Sequence, residues 1–349
     1  MDDTLAVVLA CEVIILIIAC LVLWARTLWL LHWTSRLDLR MQAARMVMVQ
    51  MIEWGYVTEV QRRAVSALSF PEQVQLIEHF GSILVGQSRT RLSGLTADMG
   101  LTAKAERLCR SWRWRKRLKG IQILTVLGQG ADVVPAMVSD PSPIVRAHVA
   151  RWVVSVGQTE HVSFLYALLK DPHGICRFCA QDALHRLGAP IIDSLIDFIA
   201  HEKGDGLLLA LEVAALLRDD RFAGVAYSGR QAICPRVRRL SVLILGTTAL
   251  PQAAEALLAS VEDADADVRA AAAQGLAGLR YWPAAPVLFR LLQDPSWVVR
   301  RASAMALREL GGPGLLFLHR AYHGADRYAA DMAEYILKQP LRAAHGVSA

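Results

Sequence analysis

One arginine recurs along this chain with a fixed spacing. Arg146, Arg177, Arg238, Arg269 and Arg300 stand 31, 61, 31 and 31 residues apart, and Leu208 occupies the position that the long interval skips. Arg146, Arg177, Arg269 and Arg300 each have an aspartate six residues earlier: Asp140, Asp171, Asp263 and Asp294. Three of those aspartates are followed by proline. Self-similarity at a period of this size is the signature of a stacked-repeat architecture, and it constrains the fold more than any single motif could.

The pattern around each arginine predicts what one repeat is. Relative to the arginine, apolar or small residues recur one before and three, seven and ten after, as in Val145, Val149, Val153 and Val156, or Val268, Ala272, Leu276 and Leu279. Steps of four, four and three place them on one face of a helix. A second apolar segment precedes each such helix (VVPAMVS, VSFLYALLK, AAEALLASV, APVLFRLLQ). Two short helices per period form an αα-hairpin, which cannot bury both apolar faces alone and must stack on its neighbours. The expected fold is therefore all-α, a solenoid of αα-hairpins. The stretch RLCRSWRWRKRLKGIQILTVLG is expected to supply the second helix of an earlier unit, with Arg117 in the place of the repeat arginine.

The copies DPSPIVRAHVARWVVSVG, DPHGICRFCAQDALHRLG and DPSWVVRRASAMALRELG resemble the HEAT-repeat superfamily, in particular the short units of phycobilin-lyase-like proteins with their D-P-x-x-x-V-R-x-x-A pattern. The resemblance covers roughly Leu101 to Leu337. It implies the fold and transfers no active residue, because this architecture serves many binding roles.

Ahead of the repeats, Leu5 to Ala25 reads LAVVLACEVIILIIACLVLWA, with Glu12 its only charge. Such a run is about 30 Å long as a helix, the thickness of a hydrocarbon core. Mean hydropathy is +0.33 and apolar residues make up 54% of the chain, so the run accords with the composition. The sequence therefore predicts an amino-terminal transmembrane helix. Asp2 and Asp3 before it and Arg26, Arg36, Arg40 and Arg45 after it predict an outside amino terminus and a cytoplasmic repeat domain on a single-pass inner-membrane protein. Glu12 is costly within a membrane. Either it meets a membrane partner, or the span starts near Val13 and runs to about Trp33. The expected organisation is an anchor and interface over 1–33, a juxtamembrane helical region over 34–100, HEAT-like repeats over 101–337 and a tail over 338–349. Within the second of these, a long helix over 26 to about 65, a helix opening at Pro71 and a loop over 87–100 are expected.

Residues able to do chemistry are sparse. An aspartate and an arginine in nearly every unit suit a structural ladder, since an active site needs one asymmetric constellation; this covers Asp140, Arg146, Asp171, Arg177, Arg238, Asp263, Arg269, Asp294 and Arg300. Cys176 and Cys179 lack a second cysteine pair or a spaced histidine cluster, so no metal site is expected. The histidines His148, His161, His173 and His185 form no recognised catalytic spacing. No cofactor and no catalytic residue is assigned.

One cluster remains: Arg110, Arg113, Arg115, Lys116, Arg117 and Lys119, interleaved with Trp112 and Trp114. With a net charge of +6, it suits a protein partner or anionic lipid headgroups, and nucleic acid less well. The leading expectation is a scaffold that binds a membrane protein. Resemblance to membrane-anchored HEAT-like proteins suggests an accessory subunit of an envelope-polysaccharide glycosyltransferase. The alternative is a phycobilin-lyase-like enzyme or chaperone for prosthetic-group attachment.

Overall fold

The computed structural model describes residues 2–84 and 86–339, with side chains described for 16–27, 39–81, 83–84 and 86–339. It is helical throughout, with no strand among the described residues. The chain divides into two compact units, Met1–Val134 and Pro135–Ala349.

The first unit opens with α1 (Asp2–Trp54) and continues through α2 (Glu59–Ser66), α3 (Phe70–Ile83), α4 (Gln87–Asp98), α5 (Leu101–Cys109) and α6 (Trp114–Leu127). The carboxy-terminal part of α1 carries Met41, Ala44, Met48, Met51 and Ile52, spaced to form one stripe, and buries them against Val65, Leu68, Leu76, Phe80, Leu92 and Leu95. Fully burying a side chain of this size contributes about 1.5–3 kcal/mol. Gly55, in a left-handed conformation (φ 76°), ends α1 earlier than the sequence predicts. Thr58 then caps α2: its hydroxyl accepts from the Gln61 N–H at 3.3 Å, and Gln61 accepts from the Thr58 N–H at 3.0 Å. The expected loop over 87–100 is instead α4, because Leu92 and Leu95 give it a buried side. Between α5 and α6 the backbones approach closely. A Cβ on Gly120 would lie 2.6 Å from Cys109 Sγ and 2.7 Å from the Ala105 carbonyl oxygen.

The expected transmembrane helix and single-pass membrane localisation are corrected here. No helix among the described residues is long and apolar enough to cross a membrane. Arg26 lies within the described part of α1. Glu12 belongs to α1, but its side chain lies outside the described residues, as does the tail beyond Gln339. The orientation depended on that span and falls with it.

The second unit is a series of helix pairs. A short 3-10 helix (Pro135–Ser139) precedes α7 (Pro143–Val156); then come α8 (Val162–Leu169) with α9 (Gly174–Leu187), α10 (Ile192–His201) with α11 (Gly204–Leu217), and α12 (Ala223–Gly229) with α13 (Pro235–Leu245). They are followed by α14 (Pro251–Ser260) with α15 (Ala266–Gly278), α16 (Ala285–Arg290) with α17 (Trp297–Glu309), and α18 (Gly312–Tyr322) with α19 (Arg327–Lys338). Val145, Val149, Val153, Val268, Ala272 and Leu276 are all fully buried. The unit without an arginine still forms its pair, α10 with α11, and buries Leu208 in the arginine's place. Eleven residues after the repeat position the chain turns left-handed at Gly128, Gly157, Gly188 and Gly311. Arg280 holds the same position with φ 50°. This is an all-α solenoid.

Candidate functional site

Four of the second helices, α7, α9, α15 and α17, begin at a turn built by an aspartate and held by an arginine. Asp140, Asp171, Asp263 and Asp294 accept, through Oδ1, the backbone N–H two residues on (Ser142, His173, Asp265 and Ser296), each at 2.8 Å. The repeat arginine donates through Nη1 to carbonyls six and five residues back. Arg269, for instance, reaches the Asp263 oxygen at 2.8 Å and the Ala264 oxygen at 3.0 Å. Arg238 makes the same contacts to Ala232 and Ile233, at 3.0 and 2.9 Å, although no aspartate precedes it, because the acceptors are backbone atoms. In the first unit, Arg117 repeats the pattern on Ser111 and Trp112, at 3.0 and 2.8 Å.

The other edge of the guanidinium reaches forward by 25 residues. Arg146 donates Nε and Nη2 to the Asp171 carboxylate at 2.6 and 2.9 Å. Arg238 grips Asp263 at 2.8 and 2.8 Å, and Arg269 grips Asp294 at 2.8 and 2.9 Å. The ion pair thus links successive units, while the aspartate six residues earlier contributes its carbonyl. Such bidentate, charge-assisted pairs are the strong class of hydrogen bond. Hydrogen bonding from Arg238 holds the Asp263 carboxyl below its ordinary range, against the opposing effect of burial. At Asp171 and Asp294 burial pushes upward, but the bonds from Arg146 and Arg269 and from the backbone outweigh it, and both carboxyls are lowered.

Two arginines end the ladder differently. Arg177 keeps its carbonyl contacts to Asp171 and Pro172, at 2.7 and 3.0 Å. Arg300 keeps those to Asp294 and Pro295, at 2.7 and 3.0 Å, with its guanidinium 5.1 Å from the Tyr328 ring. Neither grips a carboxylate.

The remaining reactive groups are poorly placed for chemistry. Burial pushes the Cys109 thiol up to about 12 and the Cys176 thiol up to about 11, and it raises Cys179 as well, so none is a thiolate at neutral pH. Cys176 Sγ donates to the Pro143 carbonyl at 3.3 Å. Burial lowers the basicity of His148, and His161 lies against Trp152 with ring centroids 4.8 Å apart. Among the described residues no group of three or more His, Cys, Asp or Glu could hold a metal ion.

The basic cluster separates into tied and projecting residues. Arg117 is held by the carbonyls already named, and Lys119 pairs with Glu78 at 2.7 Å. Arg110, Trp112, Arg113, Trp114, Arg115 and Lys116 are exposed. Trp112 is 82% exposed, with the Arg113 guanidinium 4.7 Å from its ring, and Arg115 lies 5.6 Å from Trp114. Trp112 through Lys116 border an opening of about 380 Å³. Both guanidinium–indole contacts are of the cation–π kind.

The HEAT-repeat family model matches residues 131–216 and 254–335. These stretches resemble HEAT repeats. Between the two matched stretches lie the end of α11, all of α12 and α13, and the start of α14. Among solved structures, the chain is similar to the complex of CpcE and CpcF of phycocyanin lyase from Nostoc sp. PCC7120, with 24% identity, 43% of this chain and 99% of that chain covered, and a TM-score of 0.40. It is also similar to an engineered protein (14% identity, 85% and 94% covered, TM-score 0.37) and to human deoxyhypusine hydroxylase in complex with glycerol (16% identity, 69% and 97% covered, TM-score 0.30). No curated protein matches the sequence. The likenesses are distant, and neither activity nor partner passes from them to this chain.

One surface of that array escaped the sequence reading. The residue two before the repeat arginine is exposed in Ile144, Ile175, Arg236, Asp267 and Val298, aliphatic in three units and charged in two. The charged residues at this register, beside the repeat arginine, were the available signal.

Proposed function

We propose that this protein is a non-catalytic HEAT scaffold that binds a protein partner. The observation carrying the reading is the division of roles along each second helix. Core positions and the arginine clasp recur, whereas the exposed position two before the arginine is aliphatic at Ile144, Ile175 and Val298 and charged, with opposite signs, at Arg236 and Asp267. A frame that fixes position and varies side chain is suited to reading an extended partner. The exposed Trp112 cluster adds aromatic and arginine side chains of the kind that dominate binding energy at protein interfaces.

The test is site-specific photo-crosslinking in cells of origin, with a benzophenone amino acid at position 112, 236 or 298. Exposed Glu255, on a first helix, serves as the control position. The same protein captured at two or more of the three positions and not at 255 is the expected result. Adducts at none of the three would overturn the scaffold reading.

A further inference from the structure

The ladder has an open rung at Arg177, which is half-buried. Arg177 is clasped through Nη1 like its counterparts, so its guanidinium is held in the orientation that grips a carboxylate elsewhere. Glu202 stands 25 residues on, the spacing of every complete rung. Yet Glu202 accepts from Lys170 Nζ at 3.0 Å and from the Lys203 N–H at 3.2 Å. Among the described residues, Nε and Nη2 of Arg177 have no acceptor. Arg300 differs, because its unpartnered Nε is buried.

The ground beside Arg177 is shaped for an approach. Gly174 opens α9 at the place where Pro143, Pro235, Ala266 and Trp297 stand in the other arginine-bearing units. A Cβ there would lie 3.9 Å from Nη2, so the glycine leaves that flank bare. Ile175 and Phe178 follow at helix spacing, 52% and 68% exposed, and Ile144 on the neighbouring α7 is 39% exposed. A fixed cationic fork on a helix that also exposes apolar side chains suits a ligand that carries an anionic group with apolar groups near it. Planar fork geometry matches a carboxylate bidentately.

We propose that Arg177, Gly174, Ile175 and Phe178 form a docking site for an acidic segment of a protein partner. The partner's Asp or Glu takes the place that Asp171, Asp263 and Asp294 take on complete rungs, and an adjacent apolar side chain rests on Phe178. The inference builds on the scaffold reading and names the chemistry of the partner.

The experiment places the benzophenone amino acid at position 178 of the full chain in cells and sequences the captured peptide. An acidic residue adjacent to an apolar one in that peptide is expected. Arg177→Gln is expected to reduce the adduct about tenfold or more, as is changing the captured acid to its amide. Arg177→Gln also removes the turn clasp, so Gly174→Leu provides a second variant that keeps Arg177 and fills the flank. It is expected to reduce the adduct comparably while helicity and melting stay unchanged. No adduct at 178, an adduct insensitive to both variants, or capture of nucleic acid or lipid would each overturn the site. If positions 112, 236 and 298 still capture a protein, the scaffold reading survives that loss; silence at all four positions removes both.

Discussion

The rung between Arg269 and Asp294 allows the ladder's energetic role to be measured. Their side chains are 14% and 6% exposed, so removing one leaves the other nearly dry. Asp294→Leu strands two donors of a guanidinium and removes the acceptor of the Ser296 N–H. Uncompensated buried charge in a broken pair costs about 3–5 kcal/mol. The lost turn bond accounts for about 1 kcal/mol of a similar total. A cost of about 3–4 kcal/mol is therefore expected. Arg269→Met strands the carboxylate and frees the Asp263 and Ala264 carbonyls, for about 3 kcal/mol. The double variant places two apolar side chains together and retains only the backbone losses, about 2 kcal/mol. The coupling between the two sites is thus about 4–5 kcal/mol, far beyond the additivity expected of independent positions. Urea unfolding followed through protection of α15 and α17 amides measures all three variants. A single substitution costing under about 1 kcal/mol, or singles that simply add, would refute the ladder as a stabilising device.

Three further outcomes are expected. Because Asp171, Asp263 and Asp294 have lowered carboxyl pKa values, their stability contribution is full above the unfolded aspartate value of about 3.9 and is lost as pH falls through the folded values; melting temperatures that stay level from pH 5 to pH 3 would contradict this. Arg280→Gly relieves a left-handed backbone at an exposed residue and is expected to stabilise by about 0.5–1 kcal/mol, read as a rise in the thermal midpoint. Thiol labelling of the native chain at pH 8, followed by peptide mass spectrometry, is expected to modify exposed Cys234 long before buried Cys109 and Cys176, and equal rates would show that their burial is wrong.

The repeat was legible because its signals are local and periodic. Val145 through Val156 mark a helix face, the glycine eleven residues on marks its end, and the Asp-Pro turn marks its start. The partner of each arginine was not legible. Asp140 precedes Arg146 by a turn and looks like its mate, yet the structure joins Arg146 to Asp171, a relation that exists only once units stack. The open rung at Arg177 was hidden for the same reason, since Glu202 has the right spacing and only its capture by Lys170 takes it away. At the amino terminus, an apolar run alone suggested a span, whereas the later part of the same helix owes its burial to the core of the first unit. The exposed row at Ile144, Ile175 and Val298 looks in sequence like more core, because exposure depends on which helices pack alongside.

The missing rung divides the array's fastening into two lengths. Arg146 with Asp171 forms one, and the run from Arg238 through Asp263, Arg269 and Asp294 forms the other. Between them no arginine–aspartate rung joins α9, α11 and α13; Gln181 on α9 donates to Glu212 on α11 at 2.9 Å, and Lys170 pairs with Glu202 at 3.0 Å. In mechanical terms the two ladders are spars, and the place where the rung is missing is the splice between them. A partner that filled the Arg177 fork would sit on that splice, so its arrival would set how freely one spar moves against the other.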